Sequence, residues 1–483
     1  MPPRFFIFRG SIIMPKRAAA APENPDPRRT LPSVNAVIQA YQESGGRFEG
    51  WAIKPLAQRE IDALRLGLTS QNLSVAHLDD VIAELVTRLR AYDRPKLEPM
   101  LNGTGVIIHT NLGRAQVSPE TAEAMAQAAA SNVTLELNRD TNQRGQRMSE
   151  ISMLMTALTG AESALLVNNN AAAILLTLSA LAKGKEVIVS RGESVEIGGG
   201  FRIPDVLAQS GAIMVEVGTT NRTYASDYER AINAETAAIL KVHPSNFSLN
   251  GFVHSASLRE LASIARAKQI ALIEDQGSGA LIDPGQFGLS GEHTLEQSLT
   301  DGADVVTMSC DKLLGGPQGG IITGRRELIE RIGKHPLARA VRADKTALAG
   351  VAETLRHFAR GEATAKIPVW RMLSIPVSEL ESRGRRICAT VSGVSLELVL
   401  SEATIGGGSL PGQTLPSLAI SPVLDQTVDI DLIARQLRLG NPGVFSRIAD
   451  GKLLIDLRTI VPEDDERLVE ALCAVFPALK VPG

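Results

Sequence analysis

Between Ser163 and Gly324 the chain repeats one pattern, a short apolar run followed by a polar break and often by a helical segment. "SALLVNNNAAAILLTLSAL" (163–181) reads as strand, turn and helix. "EVIVSRGE" (186–193), "AIMVEVG" (212–218), "AAILKVH" (237–243), "IALIEDQG" (270–277), "ADVVTMS" (303–309) and "GGIITG" (319–324) read as further buried strands, with helical stretches such as 257–267 between some of them. Apolar runs without in/out alternation belong to strands covered on both faces. Strands alternating with helices imply an α/β fold, a mostly parallel sheet with helices on both sides.

The flanks read differently. From Thr30 to about Tyr92 the spacing is helical: "LPSVNAVIQAYQES" starts at a Ser33 cap, and "SVAHLDDVIAELVTRLRAY" (74–92) is amphipathic. "RPKLEPM" (94–100) reads as a linker. From about 375 helices mix with alternating strands; "KLLIDLRTI" (452–460) is a strand and "EDDERLVEALCAVF" (463–476) a last helix. The expected order is a disordered leader (1–29), a small helical domain (30–95), a large α/β domain (96–374) and a smaller α/β domain (375–483). The leader's apolar stretch is broken by Arg9 and Gly10, which argues against a membrane span or signal peptide; Met14 is an alternative start.

Hydrophobic residues make up 44% and charged residues 21% of the 483, the balance of a soluble globular protein. A net charge of −3 excludes a polycation, so any nucleic-acid contact must be a local patch. The helical block supplies one candidate, with Arg47, Lys54, Arg59, Arg65, Arg88, Arg90, Arg94 and Lys96 among its basic residues. On composition alone a solvated, mixed-charge surface is the better account of it. Cys310, Cys388 and Cys473 share no Cys-x-x-Cys spacing, which argues against a disulfide framework or zinc cluster and fits a reducing cytoplasm. His243 and His254 have no metal-ligand companions and read as structural.

In open α/β sheets ligands bind at the carboxyl ends of the strands. There "MSCDKLLGGPQGG" (308–320) places Lys312 directly after a core strand, in a glycine-rich loop. A lysine so placed can form a Schiff base with an aldehyde cofactor. Pyridoxal phosphate needs that lysine, a carboxylate to keep its pyridine nitrogen protonated, and a cup of backbone N–H groups for its phosphate. Asp275, near the end of its strand, is the candidate carboxylate. The turn at Asn169, Asn170, Ala171 and Ala172 opens a helix whose amino end can hold the phosphate. Each residue alone has an ordinary reading: a surface lysine, a helix cap, a polar turn. Their combination on this sheet favours pyridoxal phosphate. No Gly-x4-Gly-Lys-Ser/Thr and no well-placed Gly-x-Gly-x-x-Gly offers another phosphate site.

"LNGTGVIIHTNLGRA" (101–115), "VNNNAAA" (167–173), "SRGESVEIGGGFRIPDV" (190–206), "EVGTTNRT" (216–223), "DQGSGAL" (275–281), "SCDKLLGGPQGG" (309–320), "HPLARAVRADK" (335–345), "IGGGSLPGQTLPS" (405–417) and "DGKLLIDLRTIVPEDD" (450–465) resemble bacterial selenocysteine synthases, the L-seryl-tRNA(Sec) selenium transferases. The resemblance implies pyridoxal-phosphate fold type I and conversion of seryl-tRNA(Sec) to selenocysteinyl-tRNA(Sec), by β-elimination of the hydroxyl and addition of selenium from selenophosphate. It makes Lys312 the cofactor anchor and a base, with Asp275 its electronic partner. It implies that Arg114, Arg339 and Arg342 bind the anionic donor; Arg339 and Arg342, three apart, would share one face of a helix. Arg191 is expected beside the cofactor. It further implies a tRNA-gripping N-terminal domain and a ring of dimers, commonly a decamer. Cys310 stands where the family pattern leads one to expect glycine, and is expected to pack as a small hydrophobe. Two rivals remain at this point: a pyridoxal-phosphate enzyme acting on a free amino acid, and a non-catalytic RNA-binding relict of the fold.

Overall fold

The computed structural model describes residues 31–71, 78–425 and 427–476; the expected leader lies outside them. The chain divides after Glu98 into two compact units.

The first unit is helical. Helices Val34–Glu43, Gly50–Gln71 and Leu78–Arg90 pack Val37, Tyr41, Ile53, Ala57, Ile61, Leu85 and Leu89 into a core of their own. Ser33 caps the first helix, its hydroxyl accepting the Ala36 N–H at 3.2 Å. The third carries Asp79 and Asp80 in its first turn and Arg88 and Arg90 in its last, the charge order the helix dipole favours.

The second unit holds two large sheets. The seven-stranded sheet runs in the order 163–167, 320–324, 305–309, 271–277, 236–242, 186–190, 213–217. Only Gly320–Gly324 is antiparallel to its neighbours. Alternate residues pack on opposite faces. Ile273, Val305 and Ile322 join the core under helices Asn170–Leu181 and Arg326–Lys334. Leu272 packs on the other face with helix Leu258–Lys268, and Val306 and Met308 pack there with Ser149–Thr159 and Lys345–Ala359. Each expected strand of this sheet is present, with ends shifted by at most three residues, the largest where the strand expected to reach residue 193 stops at Ser190.

The six-stranded sheet runs 100–103, 443–449, 452–456, 414–422, 396–406, 106–108. Both its edges come from residues 100–108, each pairing in parallel with a C-terminal strand. Those residues, expected in the large domain, are thus part of the sheet built by the C-terminal segment. The turn between them is possible because Gly105 is left-handed (φ 80°), with the Thr459 hydroxyl accepting its N–H at 3.2 Å. The strand expected over 452–460 stops at Asp456, whose buried carboxylate accepts the Arg458 N–H and starts a short 3-10 turn.

Candidate active site

Strands Ala271–Gly277 and Val305–Ser309 run side by side in parallel, with Asp275 opposite Thr307. Asp275 is 4% exposed, on the face shared with helix Asn170–Leu181. Its Oδ1 accepts hydrogen bonds from Asn170 Nδ2 at 2.8 Å and Thr307 Oγ1 at 3.1 Å. Burial pushes the Asp275 carboxyl above the usual carboxylate range, against the pull of the Asn170 bond and the Lys312 charge.

The next strand end delivers the lysine. After Ser309 the chain folds back, Cys310 N–H to Gly319 carbonyl at 2.9 Å, and Lys312 is 7% exposed. Its Nζ donates to the Gly277 carbonyl at 3.1 Å. Burial holds the Lys312 ammonium below the usual lysine range, although Asp311 and Asp275 pull it upward. A buried amine of lowered basicity is the form that attacks a carbonyl. Cys310 is fully buried in the apolar core, as a small hydrophobe, and burial raises its thiol well above the ordinary range.

The polar turn closes the third side. Asn169 caps helix Asn170–Leu181, its Oδ1 accepting the Ala172 N–H at 2.8 Å. The N–H groups of Asn170 and Ala171, in the first turn, therefore have no intrahelical acceptor. Gly320 permits the approach of the neighbouring strand, since a Cβ there would lie 2.2 Å from the Asn169 carbonyl oxygen. Asn170 Oδ1 is buried without a hydrogen-bond partner.

The predicted arginines fall at three places. Arg114, left-handed at φ 66°, donates from Nη1 to Asp311 Oδ2 at 2.8 Å and remains 37% exposed, beside the lysine. Arg342 pairs through its backbone with Val167, and Asn168 N–H reaches the Val341 carbonyl at 2.9 Å, so this segment runs against the polar turn. The Arg342 guanidinium lies 3.7 Å from Glu136. Arg339 is exposed on helix Leu337–Ala340. That helix ends before Arg342, so the expected shared helix face does not exist. Arg191 sits at the end of strand Glu186–Ser190 in an exposed pair with Glu216 at 3.7 Å. Among the described residues it has no hydrogen bond or ion pair to Asp275 or Lys312. Its neighbour Glu193 is buried and accepts from Lys241 Nζ at 2.5 Å and Val242 N–H at 3.0 Å, a structural tie.

Sequence reasoning left three contributors without a role. Asp311 fixes Arg114; the signal was a carboxylate adjoining the lysine. Thr307 was hidden inside an apolar strand. Gly408, from the C-terminal segment, lies against Lys312: a Cβ there would be 2.6 Å from Lys312 Cε and 2.8 Å from Nζ. The cluster at 406–408 hinted at a close backbone approach, without saying to what.

The donor set fits pyridoxal phosphate: a buried lysine, a buried carboxylate one strand away, and a helix amino end on the same face. The fold is that of the fold type I pyridoxal-phosphate enzymes, and pyridoxal phosphate is its cofactor. D-glucosaminate-6-phosphate ammonia-lyase shares the architecture, with a TM-score of 0.57 at 22% identity over 80% of this chain and 98% of that one. The sequence comparisons are narrower. The model of the family described as L-seryl-tRNA selenium transferase matches residues 100–461. The L-seryl-tRNA(Sec) selenium transferase of Hyphomonas neptunium is 46% identical over 457 residues, covering 92% of this chain and 97% of the relative. That of Carboxydothermus hydrogenoformans is 40% identical over 443 residues, 90% and 95% of the two chains. The chain belongs to the L-seryl-tRNA selenium transferase family.

Proposed function

We propose that this chain converts serine carried on selenocysteine tRNA to selenocysteine on the same tRNA, taking selenium from selenophosphate. The observation that carries the reading is the buried Lys312–Asp275 pair beside the free amino end of helix Asn170–Leu181, in a chain of this family.

Pyridoxal phosphate bound there supplies a sink for the electron pair left when the seryl Cα loses its proton. Lys312 anchors the cofactor and then takes the Cα proton at Nζ. Asp275 holds the proton of the pyridine nitrogen, and Asn170 and Thr307 keep its Oδ1 oriented. Asn170 and Ala171 would hold the phosphate through their free N–H groups at the helix amino end, while Asn169 caps that end by taking the Ala172 N–H, so Ala172, expected to share the phosphate, is already engaged. The proton on Nζ passes to the departing hydroxyl, which leaves Cβ as water. Selenium joins Cβ as the selenium–phosphorus bond of the donor breaks and water takes the phosphoryl group away as inorganic phosphate, and Cα takes up a proton again. Arg114, Arg339 and Arg342 bind the anionic donor; Asp311 presents Arg114 to it. Arg191 contributes at the rim of the cofactor pocket.

The helical unit before Glu98 grips the tRNA, reading shape and phosphates through its basic residues. The domain order drawn from the sequence, with the tRNA-binding domain at 30–95, cofactor domain at 96–374 and small domain at 375–483, belongs to this reading, apart from strands 100–108. So do a homo-oligomeric ring of dimers, a decamer by family resemblance, and a cytoplasmic location. Among the described residues no helix is long and apolar enough to cross a membrane. The two rivals are not favoured. A free-amino-acid enzyme has no use for a separate helical unit, and a desulfurase needs an exposed cysteine where Cys310 is buried. A relict has no reason to keep Lys312, Asp275 and the helix amino end together.

The test is a direct assay. Purified chain with seryl-tRNA(Sec) and selenophosphate should yield selenocysteinyl-tRNA(Sec), and Lys312→Ala should abolish it along with the bound-cofactor absorbance. A cofactor band with turnover of a free amino acid, and none of the charged tRNA, would overturn the tRNA reading.

A further inference from the structure

Glu292 is the buried carboxylate at this site with no role in the chemistry above. It comes from the loop before helix Leu295–Thr300 and is 6% exposed. Its Oε1 accepts the Ser278 hydroxyl, and its Oε2 accepts the Leu410 N–H at 3.3 Å. Oε2 also lies 3.4 Å from His243 Nε2. His243 Nδ1 accepts the Ser245 N–H at 3.0 Å, which puts the ring proton of the neutral tautomer on Nε2, facing Glu292. One carboxylate therefore joins three segments.

All three border the lysine. Ser278 follows Gly277, whose carbonyl accepts Lys312 Nζ, and the Ser278 carbonyl accepts the Leu313 N–H at 2.9 Å. His243 follows its strand and donates its N–H to the Asp275 carbonyl at 3.0 Å. Leu410 stands two residues beyond Gly408, the residue against the lysine side chain. The turn is strained at Leu410, a left-handed non-glycine residue at φ 48°, while Gly406 and Gly408 take up φ 112° and 93° as only glycine readily does. A second strap holds it nearby, where Gln413 accepts the Ser290 N–H at 2.7 Å and donates back to the Ser290 carbonyl.

We propose that Glu292 is a positioning residue for Lys312: it latches the 406–410 turn of the C-terminal segment over the lysine, so that Gly408 and the Gly277 carbonyl together set the direction of Nζ. The inference rests on Lys312 being the cofactor anchor. The latch is a matter of geometry and does not need the negative charge. A glutamine amide can turn its oxygen to Leu410 and His243 and its NH2 to the Ser278 oxygen.

The experiment compares Glu292→Ala, Glu292→Gln and Gln413→Ala in the full chain. Three quantities are read: cofactor release followed by absorbance, kcat and KM for seryl-tRNA(Sec), and the melting temperature of the cofactor-free protein. In Glu292→Ala, cofactor release should speed up and kcat should fall by about tenfold each, the scale of one lost buried charge-assisted hydrogen bond, with KM for the tRNA within about twofold. Glu292→Gln should restore most of both. Gln413→Ala, which removes the second strap and leaves Glu292 and Lys312 in place, should speed release by a smaller factor. Equal defects in the glutamine and alanine variants would overturn the latch in favour of the charge. A lower melting temperature with release and kcat unchanged would reduce Glu292 to a packing role. If Lys312→Ala kept its cofactor band, the anchor reading itself would fail; a silent Glu292→Ala beside a blank Lys312→Ala would sink only the latch.

Discussion

Asp275 and its neighbour Glu274 show how one strand separates two chemistries by side-chain direction. Asp275 faces the cofactor side with two hydrogen-bond donors. Glu274 faces the other way, its Oε2 buried without a partner, and burial pushes its carboxyl up to about 7 from 4.5. The folded chain then keeps a proton that the unfolded chain gives up near 4.5, so this contribution to stability is present below that pH and is lost as pH rises through about 7. Glu274→Gln, which does not titrate, should therefore gain on the parent between pH 5 and pH 8 by up to about 3 kcal/mol. Melting curves at those two pH values check this; an unchanged gap refutes it. Arg114→Ala strips Asp311 of its guanidinium partner while the carboxylate stays buried. It should cost about 1–3 kcal/mol of stability, read by denaturant titration, and raise the requirement for selenium donor more than that for tRNA. Lys312 and Asp275 were legible in the sequence only in combination: each alone has an ordinary reading, and it was a lysine, a carboxylate and a polar helix start at the ends of strands of one sheet that singled them out. Glu292 and Gly408 were not, since their meaning lies in partners far along the chain.

The elements follow the same division. Most strands of the seven-stranded sheet were legible because they are apolar on both faces; the edge strand Ile213–Val217 was expected to be buried as well, yet only Val217 is buried, and Ile213 and Glu216 are exposed because no further strand covers that edge. Residues 100–108 escaped notice because they form two very short edge strands, whose pairing with 443–449 and 396–406 no local spacing announces. The Arg339–Arg342 spacing misled because three-residue separation has meaning only while a helix continues, and this one ends at Ala340. The helix at Asn170 offers a sharper experiment. Asn169→Ala removes the cap and should cost about 1 kcal/mol of stability, while Asn169→Ser should restore most of it; thermal melts of the cofactor-free chain decide. If the phosphate rests there, cofactor affinity should weaken in the alanine variant, as a fluorescence titration would report.

At the scale of the molecule, each unit has its own apolar core. A chain starting at Pro99 should fold, bind cofactor and show its absorbance, yet fail to act on seryl-tRNA(Sec). Normal turnover of the charged tRNA by that fragment would remove the helical unit from the reaction. The small sheet carries a different consequence. Its two edges are made early in synthesis, while the four strands between them lie at 396–456. Until the ribosome has delivered those strands, residues 100–108 are bare strand edges with nothing to pair with. Gly408 arrives on the same late stretch, so Lys312, once made, stays uncovered until that stretch emerges. A nascent chain that stalls before residue 396 would carry an unguarded lysine and two open edges, which makes it a candidate for chaperone capture and barred from premature catalysis.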